Sequence, residues 1–480
     1  MHEHLAELQD TDSYVRRMAA QALGEMGKAA ATPEVLGALT ERLLRDKAWD
    51  VRYEAAKTLG VMGEAAATQE VIQALIQCLL EDQEPNVRWQ AAWVLGSMGE
   101  AAAKKEVLQA LVQALRKDEV WGVRQAAAET LGKMGSAAAT PEVIGDLVQA
   151  LGDPDASVRQ EAAWVLGSMG EAAAKKEVLQ ALVQALRKDE VWGVRQEAAR
   201  ALGRMGEAAA QKEVIQALVQ CLRKDEYLDV RSAATHALGM MGEAAATPEV
   251  LEALTERLLR DKVWEVRSAA AQALGWMGAA AATQEVIQAL IQCLREDEDW
   301  VVRQAAAGAL GAMGKAAATP EVIGALAKRL LQDEEGWVRE AAAEALRQLL
   351  QAHPEALRDF LRVLPVPMTP QETQALEKVF RDSPGAVPAL RALLSDPDPE
   401  VRSRAVQALG WMGAAAATPE VIRDLLARRL DKDPTVRAAA LKVLRRLPVS
   451  SETVSAVLRD FRGDEPEAAE AAAWALERLG

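Results

Sequence analysis

Twelve aspartates stand six residues ahead of twelve arginines along the chain: Asp10, Asp46, Asp82, Asp118, Asp153, Asp189, Asp225, Asp261, Asp297, Asp333, Asp396 and Asp431. Carboxylates and guanidiniums at fixed spacing have two uses, acid–base chemistry or charge-assisted hydrogen bonds. A group repeated this often cannot be one catalytic centre, so the pairs are read as bonds that fix a turn and join neighbouring segments. The other chemistry-bearing residues are sparse. His2, His4, His236 and His353 are scattered, and only His2 and His4 stand close enough to share a metal, weakly and at a terminus. Cys78, Cys221 and Cys293 each precede a ladder aspartate by four residues, too far apart in sequence to share a metal. An odd count of three gives no disulfide framework and fits a reducing compartment. Gly308 to Lys315 resembles a phosphate loop, but its glycines are wrongly spaced, no Ser or Thr follows the lysine, and the context is helical. The expectation is a chain with no catalytic set, no cofactor and no metal site, and hence no enzyme.

The elements that carry these residues recur. Each arginine follows a valine, from Val15-Arg16 to Val436-Arg437, at a step of 36 residues through Val338 with a single step of 35. Such a period means stacked supersecondary units, and the 480 residues are one stack rather than several globular domains. Each repeat reads as two helices. The second opens at Val-Arg and closes at Leu-Gly-x-Met-Gly, whose last glycine suits a left-handed C-cap. A short Ala-rich linker and a start signal such as Thr140-Pro141-Glu142 follow: a capping Thr, Pro in the first turn, Glu at the positive end of the helix dipole. Composition agrees, being rich in Ala, Leu, Glu, Gln and Arg with only three Phe and three Tyr. A net charge of −15 argues against nucleic acid and anionic membranes as partners. No apolar run approaches the ~20 residues of a membrane span, and Met1-His2-Glu3-His4 is too polar for a signal peptide. The expected location is the cytoplasm.

The pattern Asp-x-x-x-x-Val-Arg-x-x-Ala-Ala-x-Ala-Leu-Gly-x-Met-Gly resembles HEAT repeats, specifically the bacterial phycobilisome-lyase-like subclass. The resemblance covers nearly the whole chain. It implies an all-α, right-handed α-solenoid of about 13 stacked HEAT-like helix pairs. It also implies a protein-interaction scaffold, such as the sensor region of a larger bacterial NACHT-like or STAND-like signalling protein; a bilin-lyase-like enzyme or subunit is the alternative. Deoxyhypusine hydroxylase, a HEAT-like enzyme, holds iron with His-Glu pairs at matching repeat positions. Here only His2-Glu3 occurs, outside the repeat frame.

Residues 91–125 and 162–196 are identical, and 247–267 nearly copy 32–52. Copied repeats cannot each carry a unique catalytic group. From about 347 to 400 the rhythm fails, and Pro354, Pro365, Pro367, Pro370, Pro384 and Pro388 interrupt it, with helical stretches at 355–363 and 371–382. The expected organisation is a main block 1–350, an atypical Pro-interrupted repeat 351–397, and C-terminal repeats with a cap 398–480. The short first helix suggests a small cap or a fragment of a longer protein; residues 465–480, lacking Val-Arg, suggest a terminal cap.

Counting from each Val as zero at 100° per residue, positions 0, 4, 7, 8 and 11 are nearly constant and share one arc, the core stripe. Positions 2, 3, 6 and 10 vary and fall on the opposite face, which the resemblance places on the concave side. That face carries the candidate partner contacts: Tyr53, Trp89, Trp93, Trp164, Arg200, Arg204, His236, Trp276 and Trp411. Trp and Arg are frequent interface anchors. The ligand expected there is a protein or peptide, bound by a monomer or by one member of a larger assembly. A second Trp set, Trp49, Trp121, Trp192, Trp264, Trp300 and Trp337, opens the second helices and is expected to cover the turns between repeats.

Overall fold

The computed structural model describes residues 1–365, 368–381, 383–460, 472–475 and 477. Its elements are helices throughout, with no strand among the described residues. The chain forms two compact units, Met1–Ala245 and Ala246–Gly480. Most of the expected terminal cap at 465–480 lies outside the described residues; Trp474 is buried and its indole N–H donates to the Leu444 carbonyl at 3.4 Å.

Within each unit the helix pair forms for local reasons. Where the start signal is Thr, its hydroxyl caps the first helix: Thr140 Oγ1 accepts the Val143 N–H at 3.3 Å, ahead of helix Pro141–Ala150. Most of the second helices run 13 residues, as in Trp121–Lys133. Each such helix before the irregular segment ends on a glycine at positive φ, for example Gly135 at 56° and Gly206 at 59°. Only glycine adopts that conformation without strain. The Ala-rich linker is one 3-10 turn, Gly135–Ala138 in this repeat, whose last alanine is fully buried. Positions 0, 4, 7, 8 and 11 form the core stripe as expected: Val51, Ala55, Thr58, Leu59 and Met62 are all buried.

The Asp–Arg pairs form a ladder. Arg88 donates Nη1 to the Asp82 carbonyl of its own turn at 2.9 Å, while Nε and Nη2 fork onto Asp118 of the next repeat at 2.6 and 2.9 Å. Asp118 also accepts the Val120 N–H at 2.9 Å. Arg88 thus closes one turn and clamps the next. The fork recurs from Arg16–Asp46 to Arg195–Asp225 in the first unit, and at Arg267–Asp297, Arg303–Asp333 and Arg402–Asp431 in the second. The hydrogen bond to Asp118 outweighs burial and raises the Arg88 pKa. Burial alone would raise Asp46, but the Arg16 fork, the Ala48 N–H and nearby arginines hold it below the usual carboxylate range.

Second helices of successive repeats pack more closely than first helices within each unit. The penultimate glycine of Leu-Gly-x-Met-Gly permits this: a Cβ at Gly203 would sit 2.8 Å from Ala237 Cα. The second helices therefore form the more tightly packed side of each unit, the side that the HEAT resemblance places inward.

The irregular segment resolves into Leu357–Val363, Pro370–Arg381 and Val387–Leu393. Leu357–Val363 and Val387–Leu393 act as first helices, and Pro370–Arg381 packs between second helices Gly336–Ala352 and Pro399–Trp411. Here the ladder changes donor: Arg358, outside the Val-Arg pattern, forks onto Asp396 at 2.6 and 3.2 Å.

Candidate functional site

The inner face of the first unit gathers most of the expected contacts into one chain of neighbours. Trp93 lies against Gly60 of the preceding repeat, where a Cβ would come within 3.3 Å of its ring. Lys133 sits over the Trp93 ring at 5.8 Å and pairs with Glu129 at 2.7 Å. Trp164 packs on Gly132 in the same way and walls a polar hollow of about 500 Å³ with Gln125, Glu129, Ser157, Gln160, Glu161 and Glu197. The nearly buried Glu197 holds Arg204 at 2.7 Å and Arg200 at 3.5 Å. Burial, then the charge of Arg200, lowers the pKa of His236. One patch therefore runs from Trp93 through Glu129 and Trp164 to Glu197, Arg200, Arg204 and His236.

Other expected contacts stand apart from that patch. Tyr53 is half-buried and Trp89 is exposed, in the same unit. Trp276 and Trp411 belong to the second unit; Trp276 is exposed, and Trp411 tilts against the buried Phe380 at 5.7 Å. Position 3 is only partly open: Met18 is exposed and Glu161 half-buried. Glu54, Gln90, Ala126 and Glu197 are buried at the same position.

Sequence reasoning missed the carboxylates Glu129, Glu161 and Glu197. The signal was present: they fall at positions 6, 3 and 3 of consecutive repeats, all on the varying face. Burial, then repulsion from Glu129, pushes Glu161 up to about 7; Glu197 adds to this, while Gln125 and Lys133 oppose it. A carboxyl whose pKa rises on folding binds its proton more tightly in the folded state. Its destabilising effect is absent below the unfolded value near 4.5, grows as pH rises, and is complete above about 7. Glu161→Gln removes that charge. After discounting for partial exposure, the variant is expected to be about 1–2 kcal/mol more stable than the parent at pH 8, and equal to it at pH 4. Urea unfolding at both pH values measures this, and equal stabilities at pH 8 would contradict it.

The Trp row at the helix starts behaves differently from expectation. Trp49, Trp121, Trp192, Trp264, Trp300 and Trp337 are 37–61% exposed, so they cover the turns only in part. Trp192 stacks on Tyr227 of the next repeat at 5.9 Å, and Arg195 lies over the Tyr227 ring.

The remaining reactive groups are occupied structurally. The thiols of Cys78, Cys221 and Cys293 are buried and each donates to a carbonyl one repeat back, as Cys78 does to Leu43 at 3.7 Å. Burial pushes the Cys78 thiol up to about 12. His4 Nδ1 contacts Glu7 at 2.8 Å. No helix among the described residues is long and apolar enough to cross a membrane.

No match is found among curated protein sequences. Among solved structures the chain is similar to importin beta crystallised in an ammonium sulfate condition, at 16% identity and TM-score 0.53, covering 100% of this chain and 74% of that one. It is also similar to Kap95 in a complex with Nup1, at 16% identity and TM-score 0.58 over 99% of this chain and 71% of that one. Yeast importin-beta, Kap95p, matches at 15% identity and TM-score 0.56, over 99% and 69%. At such identity the likeness concerns the fold. The family model for HEAT repeats matches overlapping stretches from residue 3 to 366 and again 373–444, in register with the helix pairs and the ladder; the chain belongs to the HEAT-repeat family.

Proposed function

We propose that the chain is a non-catalytic scaffold that binds a protein or peptide on the inner face of its second helices. The observation that carries this reading is the patch from Trp93 to His236, where changing aromatic and charged side chains stand on an invariant frame. Tyr53, Trp89, Trp276 and Trp411 are further contacts of the same kind. Two of the solenoids it resembles were captured with protein ligands, Kap95p with RanGDP and Kap95 with Nup1. The chain's net charge of −15 favours a protein ligand over nucleic acid or an anionic membrane. The same reading places it in the phycobilisome-lyase-like subclass, as the sensor of a larger bacterial cytoplasmic protein, organised as 1–350, 351–397 and 398–480.

The test is retention of the partner that co-purifies with the intact chain. Trp93→Ala with Trp164→Ala should weaken retention about tenfold or more. Both rings pack on glycines, so Trp89→Ala with Arg200→Ala, at exposed positions, supplies a pair that spares the core. Unchanged retention by both pairs, with helicity intact, rejects the site.

A further inference from the structure

A groove of about 980 Å³ opens in the second unit, twice the size of the Trp164 hollow at about 500 Å³. It lies where the regular repeat is interrupted, between Pro370–Arg381, Pro399–Trp411 and Pro434–Arg446. Such a volume suits a drug-sized molecule or a few residues of peptide. Trp411, Val443 and Met368 supply apolar wall, and the buried Phe380 backs the Trp411 ring.

The charges in this groove are unevenly used. Glu400 is held by Arg404 at 2.7 Å, and Arg404, only 4% exposed, also donates to the Leu361 carbonyl. Glu377 pairs with Arg381 at 3.4 Å. Asp433 caps its own helix, accepting the Thr435 N–H at 2.8 Å. Lys442 and Arg446 are exposed and have no ion-pair partner among the described residues. They stand four apart on Pro434–Arg446 and so share one helix face. In a chain of net charge −15, the groove's acids are satisfied and two of its cations are not.

We propose that this groove binds a short acidic peptide segment of a partner protein, seating an apolar side chain on Trp411 and a carboxylate between Lys442 and Arg446. The proposal rests on the scaffold reading and concerns the face around Trp411 in the second unit, not the patch from Trp93 to His236 in the first. An apolar anchor beside a charge-complementary rim is the usual anatomy of peptide recognition.

The test pans a displayed library of random dodecapeptides on the full chain and on its Lys442→Glu, Arg446→Glu double variant. Both positions are exposed, so the variant should keep its helicity. Expected are retained peptides that combine an apolar residue with Asp or Glu, and that bind the double variant about tenfold or more weakly. Trp411→Phe, which keeps a ring on Phe380, should weaken the same peptides less. Peptides retained equally by parent and double variant overturn the proposal, as do retained peptides without acidic residues. Dodecanoate binding that depends on Lys442 and Arg446, with no acidic peptide retained, would assign the groove to a free amphiphile and also overturn it. Peptides lost only on Trp89→Ala with Arg200→Ala would leave the scaffold reading standing and the groove rejected.

Discussion

Asp118→Ala is expected to destabilise the chain by about 3–5 kcal/mol, the range for removing one partner of a buried ion pair. The side chains of Arg88 and Asp118 are 9% and 7% exposed. Without Asp118, the Arg88 Nε and Nη2 lose both carboxylate oxygens and the Val120 N–H loses its acceptor. The charge left behind stays desolvated, because its Nη1 remains tied to the Asp82 carbonyl. Since each repeat touches only its neighbours, the damage should be local. Amide hydrogen exchange on the intact chain is the suitable measurement, with lost protection centred on Pro85–Ser97 and Trp121–Lys133. Adding Arg88→Ala should recover part of the loss, since it removes the stranded cation. A loss below about 1 kcal/mol would make the pair equivalent to a surface salt bridge.

The ladder was legible in the sequence because its geometry is periodic: an Asp six residues before the Arg of each Val-Arg pair leaves few alternatives. The direction of the bonds was not. The same arginine binds a backbone carbonyl in its own turn and a carboxylate 30 residues on, and only the stacking distance decides which group meets which. Arg358 shows the limit more sharply. It lies outside the Val-Arg pattern, on the first helix Leu357–Val363, yet it clamps Asp396. The binding face was legible as a set of varying positions, but helical angle alone cannot tell an open position from one a neighbour covers. At position 3, Glu54 and Gln90 are buried while Glu161 lines the hollow. Trp93 and Trp164 were read as partner contacts, and the sequence did not show that each also packs on a glycine of the preceding repeat.

Gly167→Ala should cost about 2–3 kcal/mol, although alanine is the better helix former by ~1 kcal/mol. A Cβ there would stand 2.6 Å from Ala201 Cα and 2.9 Å from its Cβ. Backbone cannot swing aside as a side chain can, so two second helices must separate. Gly96 occupies the same place in the identical stretch 91–125, but its Cβ would meet Thr130 Oγ1 at 3.2 Å and Cγ2 at 3.3 Å. A side chain can give by a few tenths of an ångström, so the gain in propensity should offset the crowding and leave Gly96→Ala near neutral. Gly308, exposed and with nothing within 4 Å, should gain the full propensity, about 0.5–1 kcal/mol. Urea midpoints of the three variants order these effects. Identical costs at Gly167 and Gly96 would mean that the 35-residue segment itself sets the tolerance. The expected difference instead comes from the following repeat, where position 7 is Ala201 in one copy and Thr130 in the other. The spacing of the inner helices is therefore encoded between repeats: a glycine facing alanine lets the second helices close up, and a glycine facing a β-branched residue holds them apart.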